Sequence, residues 1–233
     1  MISYFIGRGN RKKMRIKRLH PWRVSVKEAI EIQKKLSKKI RYSKVSCPIN
    51  MIGGCDASFS KDESKVYAAV VILSYPSLKV LEVATVTYRA DFPYVPGLLT
   101  FREGPAILAC LKKIKTKPEV LFFDGQGIAH PRHMGIATHL GILLDMPTIG
   151  CAKSKLFGTY KEPASKKGSF SILKGKGGEI LGAVLRTKDN VKPIFVSPGY
   201  KMNLDDAINL TLVVTPKYRI PEPSRQAHGM ANV

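Results

Sequence analysis

Three carboxylates occupy positions where an acidic side chain needs an explanation. Asp56 interrupts the small and apolar segment 52–57, Asp124 directly follows the apolar segment 121–123, and Glu103 lies beside a predicted helix start. A carboxylate in such a place is costly unless a cation or hydrogen-bond donors meet it. If the strands that carry Asp56 and Asp124 are neighbours, their oxygens converge into a site suited to Mg²⁺ or Mn²⁺. Taken singly, each residue can equally be a helix cap or an ion-pair partner.

The segments around these residues predict an α/β fold with a mixed central β-sheet flanked by helices. Strands are predicted at 51–59, 65–74, 80–90, 120–123 and 148–152, with a later pair at 180–186 and 192–196. A capping box from Ser25 to Glu28 begins an amphipathic first helix. Further helices are predicted at 104–114, with Pro105 in its first turn, and at 135–144, 203–210 and 224–230. Three meandering strands followed by alternating helices and strands is the order of a ribonuclease-H-like topology.

Composition limits the kind of partner and the number of domains. The chain has 233 residues with a formal net charge of +22, which favours phosphate-rich partners, although surplus lysine also serves solubility and ion-pair networks. We interpret residues 1–20 as a basic, solvated N-terminal extension and 21–233 as a single domain. The alternatives for the extension are a disordered nucleic-acid arm, a targeting segment, or an upstream extension if Met14 is the natural start. The chain shows no membrane span and no export signal, so we expect a cytoplasmic monomer.

The four cysteines and the histidines give no zinc pattern. The cysteines form no CxxC pair, and we expect reduced and mostly buried thiols. His130, His133 and His139 lie close together in the sequence, but neither a cysteine nor a carboxylate lies at matching ligand spacing. A zinc site is therefore not favoured.

Several segments resemble the signature blocks of the endonuclease V family, and they occur in the family's order. The most specific are FPYVPGLL at 92–99, FREGP at 101–105 and DGQGIAHPR at 124–132. Segments 54–59, 150–154 and 224–228 resemble the remaining blocks, so the resemblance runs from about residue 53 to the C-terminus. It implies a ribonuclease-H-like nuclease of DNA repair that hydrolyses the second phosphodiester bond 3′ to inosine. The products would carry a 3′-hydroxyl and a 5′-phosphate.

The resemblance also implies roles for individual residues. The metal carboxylates would be Asp56, Glu103 and Asp124, binding Mg²⁺ or, as an alternative, Mn²⁺. His228 matches an active-site histidine that can position the attacking water, and Lys153 matches a lysine that can stabilise phosphate charge.

Base recognition is assigned to two further groups of residues. A segment that is stiffened by two prolines and presents an aromatic ring suits insertion into a duplex in place of a flipped nucleotide, and it consists of Pro93, Tyr94, Val95 and Pro96. The alternative is a tyrosine buried in a turn. By resemblance, the base pocket is lined by Gly97, Leu99, Gly125 and Ile136.

Two other classes of function remain as alternatives. One is a nucleic-acid-binding protein that does not cut, against which the intact acidic residues argue. The other is a general ribonuclease-H-like nuclease, such as an RNA:DNA hybrid nuclease or a junction resolvase, which has no need of a wedge that extrudes one base. The sequence leaves open whether inosine is recognised in DNA, the expected substrate, or in RNA.

Overall fold

In the part of the chain that the computed structural model describes, residues 14–45 and 48–232, a mixed sheet of eight strands forms the centre of the molecule. Its strands are β1 (Met51–Phe59), β2 (Lys65–Ser74), β3 (Val80–Arg89), β4 (Val120–Phe123), β5 (Thr148–Ala152), β6 (Phe170–Lys174), β7 (Ile180–Leu185) and β8 (Ile194–Pro198). They lie in the order β3-β2-β1-β4-β5-β8-β7-β6. The predicted α/β class with a mixed sheet is confirmed, and the first five strands have the ribonuclease-H-like order.

The strand directions decide where the acidic residues lie. β1 pairs antiparallel with β2 but parallel with β4, in a register that sets Cys55 opposite Phe123. β4 is in turn parallel to β5. Because parallel neighbouring strands run in the same direction, the residues that follow Cys55 and Phe123 lie side by side.

Helices cover both faces of the sheet. They are α1 (Val26–Ser37), α2 (Leu99–Lys113), α3 (Ile136–Leu144), α4 (Leu204–Val213) and α5 (Glu222–Ala231). Alternate strand residues point to opposite faces, so Leu121 and Phe123 pack with α2 and α3, while Val120 and Phe122 pack with α4 and α5. β4 is buried on both faces, as its uninterrupted apolar run predicts.

The first helix begins at the predicted capping box. The backbone N–H of Glu28 donates to Oγ of Ser25 at 3.3 Å, and the backbone N–H of Ser25 donates to Oε2 of Glu28 at 2.7 Å. Two N–H groups that the helix itself cannot satisfy are thereby bonded.

The prediction for the start of α2 is wrong by five residues. Pro105 favours a helix start just before it, yet α2 begins at Leu99 and carries Pro105 inside. Proline in a helix removes one backbone hydrogen bond, and the burial of Phe101, Ala106 and Ile107 offsets that loss. Glu103 therefore lies within the helix and not at its start.

The structure contains the later pair of strands that was predicted, and one strand, β6, that was not. β7 and β8 pair antiparallel, which confirms the pairing predicted for 180–186 and 192–196. β6 pairs with β7 at the sheet edge, and only Leu173 of its residues is buried. A short edge strand with one buried side chain has almost no hydrophobic pattern to reveal it.

Residues 14–20, the part of the predicted extension that the structure describes, contact the rest of the chain at several points. Met14 and Ile16 pack against the core that α2 and α3 build, and the backbone N–H of Lys17 donates to the carbonyl of Leu143 at 2.8 Å. His20 contacts the buried His139, with 2.7 Å between their Nε2 atoms. This segment is mainly basic, so the contacts of its apolar residues were not predicted. Residues 1–13 lie outside the described part.

Cys55, Cys110 and Cys151 are free and buried, as predicted, whereas Cys47 lies outside the described residues. Among the helices that the structure describes, none combines the length and the apolar character needed to cross a membrane.

Candidate active site

Asp56 and Asp124 lie beside each other because β1 and β4 are parallel neighbours. Asp56 lies within β1, Asp124 follows β4, and the backbone N–H of Asp124 donates to the carbonyl of Cys55 at 3.3 Å. His228 reaches the same place from α5, with its Nδ1 2.7 Å from Oδ2 of Asp56. Asp56, Asp124 and His228 offer ligand atoms that all lie within 4.8 Å of one another. Such a group can hold a divalent cation.

Glu103 is close to this group without being a member of it. Its side chain lies on the buried side of α2 and is 7% exposed. Asp56 and Asp124 are near enough for their charges to raise the pKa of Glu103. The structure therefore brings two of the predicted metal carboxylates together with His228, and it sets Glu103 nearby as a third carboxylate.

The three carboxylates repel one another, and burial adds to the cost of ionising Asp56 and Glu103. Burial raises the pKa of Asp56, and the charge of Asp124 raises it further, while the hydrogen bond with His228 lowers it. Burial raises the pKa of Glu103 well above its ordinary range, and the charges of Asp56 and Asp124 add to that rise. Hard oxygen ligands with excess negative charge are what Mg²⁺ and related cations bind, so the donor set fits such an ion.

This repulsion predicts that Glu103→Gln stabilises the metal-free protein at alkaline pH. Because the folded-state pKa of Glu103 is raised, its contribution to stability is complete below the unfolded pKa of roughly 4.3 and is lost as pH rises through the folded pKa. Glutamine does not ionise and avoids that loss. With a chelator at pH 8 we expect a higher melting temperature for the variant, by about 2–4 °C per kcal/mol gained.

The same comparison at about pH 4, where the unfolded-state carboxyl is largely protonated, is the control, and there the difference should shrink toward zero. A variant that melts lower than the wild type at pH 8 in chelator would contradict the electrostatic account of Glu103.

Lys153 follows β5 and pairs with Asp124. Its Nζ lies 2.5 Å from Oδ2 of Asp124. The backbone of Lys153 is held by Arg219, whose Nη2 donates to the Lys153 carbonyl at 2.9 Å and to the Pro193 carbonyl at 2.8 Å. Sequence reasoning missed Arg219, because it lies in the loop before α5 and no local pattern shows a contact with residue 153.

The ring of His228 is held at both nitrogens. Nδ1 faces the Asp56 carboxylate, which accepts hydrogen bonds, and Nε2 lies 2.9 Å from Nδ2 of Asn232, which donates them. The neutral ring therefore carries its proton on Nδ1 and offers Nε2 as an acceptor. Asn232 was also missed, since a residue four positions after His228 near the C-terminus carries no sequence signal.

A cavity of about 360 Å³ opens beside Asp124 and Lys153. Its volume falls in the range of roughly 300–1,000 Å³ that is usual for small-molecule sites. The predicted wedge and base-pocket residues that line it are Tyr94, Val95, Pro96, Gly97, Leu99, Gly125 and Ile136. Pro93 is not among the lining residues. Tyr94 is 67% exposed at the rim, which leaves its ring available to a ligand.

Other lining residues were not predicted, and they include the buried polar residues Gln126 and His130. Gln126 donates from Nε2 to the Ser154 carbonyl at 3.0 Å, while its buried Oε1 has no partner within the described part of the chain. His130 contacts the Gly97 carbonyl through Nε2 at 2.8 Å. Burial lowers the pKa of His130 to about 4, so this ring is neutral at physiological pH.

Comparisons with known proteins agree on one family. A family model described as Endonuclease V matches residues 24–229. The chain is 48% identical to the endonuclease V of Kosmotoga olearia over 215 residues, which cover 92% of this chain and 94% of that protein. It is 50% identical to the endonuclease V of Methanothrix thermoacetophila, over 92% of this chain and 94% of that one.

Solved structures give the same result. The endonuclease V of Streptomyces avermitilis superposes with a TM-score of 0.85 at 39% identity, over 94% of this chain and 96% of that one. The endonuclease V of Ciona intestinalis, in complex with a 24mer DNA containing an inosine followed by a ribo-adenosine, gives a TM-score of 0.78 at 32% identity, over 88% and 95% of the two chains.

Proposed function

This chain belongs to the endonuclease V family, and we propose that it is the deoxyinosine 3′ endonuclease of DNA repair. It recognises inosine, the product of adenine deamination, and hydrolyses the second phosphodiester bond on the 3′ side of that nucleotide. The cut leaves a 3′-hydroxyl and a 5′-phosphate. One observation carries the proposal: the acidic group around Asp56 and Asp124 directly adjoins a cavity with an exposed tyrosine at its rim.

The proposed ion is Mg²⁺, with Mn²⁺ as an alternative, held by Asp56 and Asp124 with Glu103 in support. When bound, such an ion supplies Lewis-acid charge that activates water and neutralises charge on the scissile phosphate. The oxygen-rich donor set, in which burial and mutual repulsion raise the pKa of Asp56 and Glu103, supports this choice.

The protein's own residues supply positioning and proton handling. His228 donates from Nδ1–H to Asp56, which leaves Nε2 to orient the attacking water and to accept its proton. Lys153 contacts Asp124 before substrate binds, and its ammonium group then lies within reach of a phosphate at the same edge. These roles need no residue from a second chain, so we propose a monomer as the working unit. The substrate, the cell's own nucleic acid, makes the cytoplasm the proposed location.

Base recognition is proposed to use the backbone of the cavity. Hypoxanthine has an acceptor at O6 and a donor at N1–H, the reverse of adenine at those positions. Ile136 is the first residue of α3, and the first N–H groups of a helix lack an acceptor within it, so this N–H suits O6. Close approach needs glycine at Gly125, where a Cβ would meet the Cγ2 of Ile136 at 2.7 Å. Guanine shares the O6 and N1–H pattern, and we propose that tight walls exclude its N2 amine.

Tyr94→Ala should weaken recognition of the lesion. Stacking of a base on an aromatic ring contributes on the order of 1–3 kcal/mol, which corresponds to a loss of roughly 5- to 150-fold in affinity for an inosine-containing duplex. Fluorescence anisotropy in Ca²⁺ or chelator would measure it. The control is Tyr42→Ala, at a comparably exposed tyrosine outside the cavity, which should bind within about twofold of the wild type. Equal losses in both variants would count against a wedge.

The function itself is tested by mapping cuts. We would incubate the protein with Mg²⁺ or chelator and with end-labelled DNA and RNA strands that carry one inosine, guanine or adenine at the same position. An RNA:DNA hybrid without inosine is included as a further substrate. We expect Mg²⁺-dependent cutting of inosine strands at the second bond on the 3′ side, with products that ligase can rejoin. Equal cutting at guanine would refute the exclusion of its N2 amine, and cutting of RNA:DNA hybrids without inosine would refute the function.

A further inference from the structure

The carbonyl of Gly97 receives hydrogen bonds from three side chains. Nε2 of Gln33 lies 2.9 Å from it, Nε2 of His130 lies 2.8 Å from it, and Nη2 of Arg132 lies 3.1 Å from it. Gly97 belongs to the loop between β3 and α2 and lines the cavity. Three donors on one carbonyl are more than its two lone pairs usually attract. One point of the cavity wall is thus held from several directions.

Gln33 closes this network from α1, far from Gly97 in sequence. Its side chain is fully buried, and both ends of its amide are used. Nε2 donates to the carbonyls of Gly97 and, at 3.2 Å, Met134, while Oε1 accepts from Nε of Arg132 at 2.6 Å. The amide therefore joins two segments that are distant in sequence and that both line the cavity, at Gly97 and at Met134.

His130 has a fixed donor in this network. Its Nδ1 accepts from the backbone N–H groups of Arg132 at 3.0 Å and Met134 at 3.3 Å, so its proton is on Nε2 and points to Gly97. Gly97 itself has a φ of +80°, and a Cβ there would lie 3.1 Å from both Arg132 Nη2 and His130 Nε2. The backbone conformation at Gly97 and the absence of a side chain there thus leave room for both donors.

We infer that Gln33 is a positioning residue for base recognition, which fixes the Gly97 side of the cavity relative to α3 through Arg132 and Met134. This inference rests on the proposed function, because the cavity must be the base pocket. A buried and fully bonded polar network specifies one geometry more strictly than apolar packing does. A Gln33 side chain that served packing alone would be replaceable by an apolar one of similar length.

The test compares Gln33→Met with the wild type in three measurements. These are the dissociation constant for a duplex with one inosine, the same constant for the unmodified duplex, and the melting temperature. We expect the preference for inosine to fall about tenfold or more, while affinity for the unmodified duplex stays within about twofold. Cleavage at saturating substrate should fall less than kcat/KM, because the catalytic carboxylates do not belong to the network.

Leu36→Ala is the matched control, since Leu36 lies one turn further on α1, belongs to the same core cluster as Met134, and has an apolar side chain that takes no part in the hydrogen-bond network. It should lower the melting temperature at least as much as Gln33→Met and leave the inosine preference within about twofold. If Leu36→Ala reduces the preference equally, or if Gln33→Met keeps it, the inference is overturned.

Arg132→Lys changes a more exposed residue of the network. It keeps the positive charge of the side chain but removes the planar guanidinium and its set of N–H donors. It should reduce the inosine preference in the same direction, and it provides the test if Gln33→Met does not fold. A wild-type protein without any inosine preference would refute the proposed function, whereas a selective wild type with unaffected variants would refute only the role of Gln33.

Discussion

Asp124→Asn is expected to lower the cleavage rate of an inosine strand about a thousandfold or more, while binding of that strand stays within a few fold. The substitution keeps the shape of the side chain and removes the charge that a divalent ion requires. Charge stabilisation by such an ion contributes several kcal/mol, and each ~1.4 kcal/mol corresponds to tenfold in rate. Binding depends instead on the cavity wall and on phosphate contacts elsewhere. Single-turnover cleavage and anisotropy, measured on the same oligomer, separate the two effects.

Two comparisons make this experiment specific. Asp206→Asn changes another half-buried aspartate, which accepts a hydrogen bond from the backbone N–H of Val45 outside the cavity and should leave cleavage within about twofold. The second comparison is the melting temperature of the Asp124→Asn protein in chelator, which shows that the variant is folded, because the substitution removes a repelling charge and also the ion pair with Lys153. Loss of cleavage and binding together would argue against a role in holding metal.

The sequence predicted the parts of the fold that have strong local signals. The bounds of β1, β2, β4 and β5 agree with the structure because each apolar run ends at turn-forming residues. Asp56 and Asp124 were recognised for a related reason, since each stands out against an apolar strand. Their approach to each other depended on β1 and β4 being parallel neighbours, which the resemblance to a ribonuclease-H-like fold supplied and composition alone did not.

Other features could not be predicted, because they depend on packing between distant segments. The start of α2 was misplaced since Pro105 is a strong local signal, which burial of the helix overrides. Arg219 holds the backbone of Lys153 from a loop whose sequence has no pattern tied to that residue. The fixed ring of His228 depends on Asn232, which only the structure reveals.

The role of Gln33 was predictable from the sequence only in part. It stands four residues after Ala29 and three before Leu36, so it lies on the buried stripe of the amphipathic α1. That position was a readable signal that a polar side chain is buried and must find partners. Which carbonyls it meets could not be read, because Gly97 and Met134 come from segments more than sixty residues away.

His228→Ala is expected to reduce cleavage by about 10²- to 10⁴-fold, the range typical of a positioned acid–base group. Two functions of the ring disappear together. Asp56 loses the hydrogen bond from Nδ1–H that lowers its pKa and fixes its carboxylate, and the attacking water loses the Nε2 acceptor. A variant that retains more than about a tenth of the wild-type rate would contradict a direct role.

His228→Asn and Asn232→Ala separate these two functions. An asparagine amide can still donate toward Asp56, but it has no second nitrogen in the position of Nε2. If orientation of the water is the main role, His228→Asn stays at least about a hundredfold below the wild type; recovery to near the wild-type rate would instead assign His228 to holding Asp56. Asn232→Ala keeps both ring nitrogens and removes only the donor that occupies Nε2 before substrate arrives. Since water must take that place during the reaction, the variant should cleave within about threefold of the wild type.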